Sequence, residues 1–196
     1  MIDSMIARTH DLAAITALSI AILLVSAHPI TLSTLIFAII ANLVGGIVPD
    51  IDQPTAPFWR NLPIGNVFGK VFSKMTGGHR FITHSILGVL IIGYLFFVLL
   101  NFISPIIGSV DVNVVWWAFM IGILSHLIMD TFNKEGVPWL LPIPIKIGFL
   151  PIKALRIETD SWVENWVIFP GLVIFNCCLY LINYQYILHL LRTMVV

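Results

Sequence analysis

Five long apolar runs, separated by shorter polar and proline-containing segments, dominate the pattern of hydrophobic and polar positions along the chain. A helix needs about 20 predominantly apolar residues to cross the roughly 30 Å hydrocarbon core of a bilayer, and these runs approach or reach that length. The pattern therefore predicts an all-α integral membrane protein with about five transmembrane helices. The predicted spans are Asp11–Ala27, Thr31–Val48, Ser85–Ser104, Val112–Thr131 and Trp166–Leu188.

The composition supports this class and excludes others. Hydrophobic residues make up 59% of the 196 residues and charged residues only 10%, whereas soluble domains carry about 25% charged residues. A water-soluble globular protein is thereby excluded, and the formal net charge of +0 provides no overall field that would attract nucleic acid. We predict a single transmembrane domain over residues 1–196, in contact with membrane lipids and without a nucleic-acid partner.

Basic residues are distributed unequally between the two sides that five spans define. All of them except Arg192 fall in the N-terminal segment or in the two loops on its side. Because loops rich in Lys and Arg stay in the cytoplasm, we predict a multi-pass protein of the cell inner (plasma) membrane with a cytoplasmic N-terminus. Residues 25–27 resemble a signal-peptidase site, but the segment before them lacks a basic excess, so we expect an uncleaved first helix.

Both loops on the predicted cytoplasmic side are longer than a simple connection requires. Pro57–Met75 mixes aromatic residues with Arg and Lys, and Val137–Lys153 combines prolines with apolar side chains. Such segments are suited to lying in the headgroup layer. We expect interfacial segments in both loops, which either anchor the protein or shape a substrate site.

Histidines and carboxylates interrupt or border the apolar runs at this boundary. Ionisable groups in or near a bilayer are costly and indicate a functional site by default. His126 and Asp130 are four residues apart, so they share one face of the fourth predicted helix, as a ligand pair or as a ligand with its supporting carboxylate. The residues that we predict to bind metal are His10, Asp50, Asp52, His79, His84, His126 and Asp130.

Asp50 and Asp52 follow Pro49, which discourages a continued helix. In an extended chain, alternate residues point the same way, and two carboxylates on one side repel each other unless a cation lies between them. The alternative is an aspartate-rich turn that only caps the second helix.

The glycine-rich segment before the third span carries further candidates. Thr83 is predicted to cap the third helix, with His84 in its first turn and His79 in the approach to it. Arg80 either holds a phosphate group or pairs with a nearby carboxylate. Glu164, at the start of the fifth helix, is a metal ligand, a general base or an acid favoured by the helix N-terminus. Arg80 and Glu164 are therefore the candidate catalytic residues.

Seven candidate ligands exceed what one tetrahedral ion needs, and they fit two ions about 3.5–4 Å apart with a bridging water. Nitrogen and oxygen ligands without thiolate suit zinc, manganese or iron, so the predicted cofactor is one or two such divalent ions. The sequence contains no competing glycine-rich phosphate loop and no H-E-x-x-H motif.

Four short motifs follow one another along the chain. They are Thr9-His10, Pro49-Asp50-Ile51-Asp52, His79-Arg80-Phe81-Ile82-Thr83-His84-Ser85 and Ser125-His126-Leu127-Ile128-Met129-Asp130. In this order they resemble the YdjM family, which is described as LexA-binding, inner-membrane-associated, metal-dependent hydrolases. The resemblance runs from residue 9 to about residue 164 and implies membrane location, hydrolase chemistry and, in some members, SOS-regulated expression. Glu164 matches the family pattern only loosely.

Three functional hypotheses follow from these residues. The first is a metal-dependent hydrolase that acts on a phosphoester such as a phospholipid or a lipid-linked phosphate, with Arg80 as an additional cation. The second is a divalent-cation or proton-coupled transporter that uses the same ligands. The third is a non-catalytic membrane regulator in which the metal only holds helices together.

Overall fold

A computed structural model describes residues 3–25, 30–78, 80–143, 145–153, 156–158 and 161–195. It confirms the all-α class, because the described residues form helices and no β-strand. The β-type pairing among them is limited to isolated bridges. Five helical segments are long and apolar enough to cross a membrane, as predicted. These spans are Arg8–Val25, Leu32–Asp52, Ile86–Ile107, Val112–Phe132 and Glu164–Ile182.

The helices follow one another with short connections, apart from the two long loops. The second and fifth spans each contain a non-α turn, a 3₁₀ turn at Val48–Asp52 and a π turn at Glu164–Ile168. The α-helices are α1 (Asp3–Val25), α2 (Leu32–Ile47), α3 (Pro57–Arg60), α4 (Gly65–Met75), α5 (Ile86–Ile107), α6 (Val112–Phe132), α7 (Phe169–Ile182) and α8 (Tyr184–Val195).

Helix α6 is the centre of the bundle and packs most closely against α2. A Cβ atom at Gly45 would lie 2.2 Å from the backbone oxygen of Phe119, and one at Gly122 would lie 2.1 Å from that of Asn42. Small residues allow this approach, which is how helices gain contact where lipid provides no hydrophobic driving force. The close packing buries the polar end of α6, including His126 and Asp130.

Side-chain caps fix where the spanning helices begin. The predicted cap at Thr83 is wrong, because Ser85 caps α5 by accepting a hydrogen bond from the backbone N–H of Gly88 at 3.1 Å. His84 therefore precedes α5 instead of lying in its first turn. Asp111 caps α6 by accepting hydrogen bonds from the backbone N–H groups of Asn113 and Val114.

The last predicted span, Trp166–Leu188, extends too far. Helix α7 ends at Ile182, and Asn183 interrupts the helical path before α8 begins at Tyr184. The side chain and the backbone N–H of Asn183 both donate to the backbone oxygen of Leu179, at 2.8 Å and 3.2 Å, so Asn183 closes the last turn of α7. The polar residues that follow favour a separate amphipathic helix over a continued span.

The first long loop packs against the 3₁₀ turn. The indole N–H of Trp59 donates to the backbone oxygen of Ile51 at 2.7 Å, and a Cβ atom at Gly69 of α4 would lie 3.0 Å from Pro54. The second long loop is tied to the helices through Trp139, whose backbone oxygen accepts from Ile86 at 3.1 Å. Both loops are therefore ordered against the end of the bundle that carries the candidate residues.

Candidate metal centre

Four side chains from three segments of the chain converge at one end of the bundle. Asp50 comes from the 3₁₀ turn after α2, His84 from the approach to α5, and His126 and Asp130 from the last turns of α6. The Nε2 atom of His84 lies 3.7 Å from Oδ1 of Asp50 and 3.3 Å from Oδ2 of Asp130. The Nε2 atom of His126 lies 3.5 Å and 3.7 Å from the same two oxygens.

These four separations match those of neighbouring ligands around one ion. Ligand atoms about 2.0–2.2 Å from a divalent metal lie about 3.3–3.6 Å apart when their angle at the ion is near tetrahedral. In the Asp50, His84 and His126 group, the ligand atoms all lie within 4.8 Å of one another. The donors are imidazole nitrogen and carboxylate oxygen, which suit zinc, manganese or iron.

The cluster is largely buried, and two of its atoms lack a hydrogen-bond partner among the described residues. The side chains of His84, His126 and Asp130 are at most 2% exposed, and that of Asp50 is 32% exposed. Within the described part of the chain, neither Nε2 of His126 nor Oδ2 of Asp130 makes a hydrogen bond. Buried polar atoms are nearly always partnered, so these two atoms fit a bound cation. The partly exposed side chain of Asp50 marks the side on which the cluster is open to the outside.

Contacts behind the two histidines aim their Nε2 atoms at the cluster. Nδ1 of His126 lies 2.6 Å from the backbone oxygen of Gly46, so its N–H donates there and leaves the lone pair of Nε2 free to bind metal. Nδ1 of His84 lies 3.0 Å from Oγ1 of Thr83 and 3.6 Å from Oδ2 of Asp52. Supporting carboxylates and carbonyls of this kind orient metal-binding histidines in many proteins.

Asp52 is fully buried behind His84. Its Oδ2 accepts hydrogen bonds from the backbone N–H of Arg80, at 2.9 Å, and from the Thr83 hydroxyl. The prediction of an extended chain at these aspartates is wrong, because Pro49 lies at the start of a 3₁₀ turn. With three residues per turn, residues two apart point in different directions, so Asp50 faces the cluster and Asp52 supports it.

Arg80 pairs with a carboxylate, which is one of the two roles that its sequence context left open. Its Nη2 lies 2.9 Å from Oδ1 of Asp130 and its Nη1 lies 3.5 Å from Oε2 of Glu135. Asn133 also donates to Oδ1 of Asp130, at 2.7 Å. The backbone of Arg80 has a φ of 57°, which is uncommon for a residue with a large side chain. The hydrogen bond from its N–H to Asp52 stabilises this conformation.

The charges around His84 favour a cation at this position. Burial by itself lowers the pKa of His84, but the carboxylates of Asp130 and Asp52 beside its two ring nitrogens outweigh burial and raise the pKa to about 9. The carboxylates thus stabilise positive charge between them.

His10 adds a histidine at the edge of the cluster. Its ring stacks on that of His126 with 4.3 Å between centroids, and its Nε2 lies 3.7 Å from Oδ1 of Asp130. His10, His126 and Asp130 form a second group with metal-binding potential. Both groups contain His126. Because Nδ1 of His126 donates to Gly46, only its Nε2 can bind an ion, and it can bind only one. The candidate His79 lies outside the described residues.

Glu164 is buried at the first position of the π turn, on the same end of the bundle, and it lines a cavity together with His10.

Sequence reasoning missed three groups that position the cluster: Asn133, the hydroxyl of Thr83 as a donor to Asp52, and the carbonyl of Gly46. Asn133 is detectable in hindsight, because it follows Asp130 by three residues and so lies on the same helix face. The Gly46 carbonyl has no side chain that would reveal it.

Comparison with known proteins identifies the family. A family model described as "YdjM inner membrane protein" matches residues 5–190. A relative from Bacillus subtilis (strain 168), named "Uncharacterized protein YvsG", is 31% identical over 173 residues, which cover 88% of this chain and 92% of the relative. No solved structure matches the chain. The chain belongs to the YdjM family of inner membrane proteins.

Proposed function

We propose that this YdjM-family protein is a metal-dependent hydrolase that cleaves a phosphoester at the cytoplasmic face of the membrane. The observation that carries the proposal is the ring formed by Asp50, His84, His126 and Asp130, in which adjacent nitrogen and oxygen atoms lie 3.3–3.7 Å apart. A divalent metal held there would polarise a phosphoryl oxygen and would lower the pKa of a water molecule, which then acts as nucleophile near neutral pH.

The chain's own residues keep the ligands in position. Arg80 and Asn133 hold Oδ1 of Asp130, which leaves Oδ2 directed at the cluster. Asp52 fixes the loop that carries His84, and Gly46 fixes the ring of His126. Ligands that are positioned in advance in this way lose little entropy when metal and substrate bind. His10 either binds a second ion beside Asp130 or remains beside a single one.

The position of the cluster favours a substrate that is itself part of the membrane. Asp50 and Asp130 lie within two residues of the ends of their spans, and His84 lies two residues before the next span begins. The side of the membrane that they share also carries nearly all basic residues of the chain, which supports a cytoplasmic orientation. A phospholipid or lipid-linked phosphate presents its phosphoester at this depth.

The test uses the full chain in lipid nanodiscs. Protein loaded with Mn²⁺ or Zn²⁺ is expected to release phosphate from phosphatidic acid or another membrane phosphoester in a screen. His126→Ala is expected to lose bound metal and at least 100-fold in rate. His189→Ala, at an exposed histidine of α8, is the matched control and is expected to retain both. A metal-loaded protein that hydrolyses no phosphomonoester or phosphodiester overturns the proposal.

A non-catalytic regulator is the second candidate, because the cluster joins the end of α2, the approach to α5 and the end of α6. A metal ion there would cross-link these elements and raise stability by mass action. This candidate predicts stoichiometric metal and a higher melting temperature without turnover. A transporter is less consistent with the geometry, since carriers bind their ions near the midplane and this cluster lies at the ends of the spans.

A further inference from the structure

A cavity of about 220 Å³ lies next to the cluster, between α1, the end of α6 and the π turn of the fifth span. His10 forms part of its wall and stacks on His126 on the other side, so the cavity is one side chain away from the proposed metal. Its polar wall consists of His10, Asn133 and Glu164, and its apolar wall includes Met129, Phe132 and Ile168.

The π turn shapes this cavity. The backbone N–H of Phe169 bonds to the oxygen of Glu164, five residues earlier, which widens the helix by one residue at this point. Glu164, the first residue of this turn, has 6% of its surface exposed, whereas Trp166 two residues later is 71% exposed. Such turns inside α-helices occur frequently at functional sites. Acids within membrane spans are rare and mark functional positions.

The polar groups of the cavity accept hydrogen bonds. Asn133 already donates its amide N–H to Asp130, so its carbonyl oxygen is the group that it can offer to a ligand. Glu164 offers a carboxylate, and Nδ1 of His10 is buried without a hydrogen-bond partner in the described part of the chain. A carboxylate repels a phosphate group. The cavity is therefore suited to a different part of the substrate, one that donates hydrogen bonds.

We propose that this cavity is the binding site for the headgroup that lies beyond the phosphate, and that it selects an uncharged or cationic group bearing hydrogen-bond donors, a hydroxyl or an ammonium. The assignment of the cavity to the headgroup rests on the proposed function, which places the phosphate at the cluster. The cavity is smaller than the 300–1,000 Å³ of typical drug-sized pockets, so a compact headgroup such as glycerol or ethanolamine fits better than a sugar chain.

The test measures binding as well as turnover. Metal-loaded protein in detergent is titrated with dihexanoyl-phosphatidylglycerol, -phosphatidylethanolamine and -phosphatidylethanol, and affinity is read from thermal stabilisation. The last two differ only in an ammonium group that replaces a hydrogen atom at the end of the headgroup, so their comparison tests the donor. We expect at least one donor lipid to bind tenfold or more tightly than phosphatidylethanol, because a site that accepts a hydrogen bond rejects an analogue that lacks the donor. The stronger of the two donor lipids identifies hydroxyl or ammonium.

Two variants connect the preference to the cavity. Glu164→Gln is expected to reduce the donor preference several-fold, whereas Glu158→Gln, at an exposed acid paired with Lys134, is expected to leave it unchanged. If Glu164→Gln fails to fold, Ile168→Phe narrows the apolar wall instead and is expected to weaken binding of all headgroup-bearing lipids while phosphatidic acid still binds.

The outcomes separate this inference from the proposed function. A donor preference that disappears in Glu164→Gln, in a metal-loaded protein that hydrolyses no phosphomonoester or phosphodiester, supports the headgroup site and contradicts the hydrolase. Hydrolysis with equal affinity for all three lipids overturns the headgroup site and supports the hydrolase. The assignment of the site is also overturned if the donor preference survives in Glu164→Gln, or if Ile168→Phe binds the headgroup-bearing lipids as tightly as the unaltered protein does.

Discussion

Nδ1 of His126 lies 2.6 Å from the backbone oxygen of Gly46, across the interface between α6 and α2. This contact connects the packing of the bundle with the chemistry of the cluster. The imidazole must donate its Nδ1–H to the carbonyl, so Nε2 carries the lone pair that faces Asp50 and Asp130. The bond exists only because small residues let the two helices approach closely.

Separating these helices is therefore expected to weaken metal binding. A Cβ atom at Gly122 would lie 2.1 Å from the backbone oxygen of Asn42, so Gly122→Ala must move α6 away from α2. We expect a loss of about 1–3 kcal/mol in stability from overpacking and a 10–100-fold loss of metal affinity, measured by chelator competition. Gly171→Ala, where an added Cβ meets nothing within 4 Å, is the control. Unchanged metal affinity in Gly122→Ala would contradict the coupling.

The two aspartates of the 3₁₀ turn are expected to have different effects when they are replaced. Asp50 faces the two Nε2 atoms of the cluster, so Asp50→Asn removes a ligand charge. Asp52 contacts Arg80, Thr83 and the far side of His84, so Asp52→Asn weakens only the support and is expected to lower metal affinity 10–100-fold. The same chelator competition measures both variants. A larger loss in Asp52→Asn than in Asp50→Asn would show that Asp52 is a direct ligand.

Arg80 is expected to stabilise the protein through Asp130. Both side chains are buried and their charged atoms are 2.9 Å apart, and removal of one partner from a buried pair costs about 3–5 kcal/mol. Arg80→Gln should therefore lower the stability of the metal-free protein, measured by denaturation in detergent, and added metal should restore part of the loss. An arginine that served only to bind phosphate would leave stability unchanged and alter only substrate affinity.

The helices could be predicted from the sequence because each span is a long apolar run, and membrane burial leaves few alternatives for such a run. The 3₁₀ turn escaped prediction because Pro49 is compatible with the first turn of a helix as well as with an extended chain. The end of the fifth span was misjudged because Tyr184 and Tyr186 are apolar enough to extend it, and only the break at Asn183 separates α7 from α8.

The residue types of the candidate site could be predicted, because histidines and aspartates at the edge of a bilayer are energetically costly and so indicate a functional site. The separate role of each residue could not be predicted. Whether Asp50 or Asp52 faces the cluster depends on the direction in which the turn points each side chain. Whether Arg80 meets a phosphate or a carboxylate depends on the position of α6, which is far away in the sequence. These are tertiary facts that spacing along the chain does not contain.

Helix α4 is expected to lie in the lipid headgroup layer. Its side chains form three sectors: Gly65 and Gly69 face the protein, Lys70 and Lys74 form a polar sector, and an apolar sector is exposed, with Phe68 at 61% and Met75 at 75%. At 11 residues the helix is too short to cross the bilayer. Residues 53–78 contain basic side chains and no acidic ones, which favours anionic lipids.

The position of α4 can be measured with a fluorescent label. Phe68→Cys, made in a chain with Cys177 and Cys178 replaced by serine, carries an environment-sensitive dye in vesicles of anionic lipid. We expect strong quenching by lipids with nitroxide-labelled chains and weak quenching by aqueous iodide. The same dye at Asn66→Cys, in the polar sector, should show the reverse.

Charge reversal separates an electrostatic contribution from simple insertion. Lys70→Glu together with Lys74→Glu is expected to reduce the lipid quenching of the label at position 68 in anionic vesicles, because each basic residue near an anionic surface contributes about 1 kcal/mol. In zwitterionic vesicles the same pair of changes should have little effect. Iodide quenching at position 68 as strong as at position 66 would show that the apolar sector faces water or another protein instead of lipid.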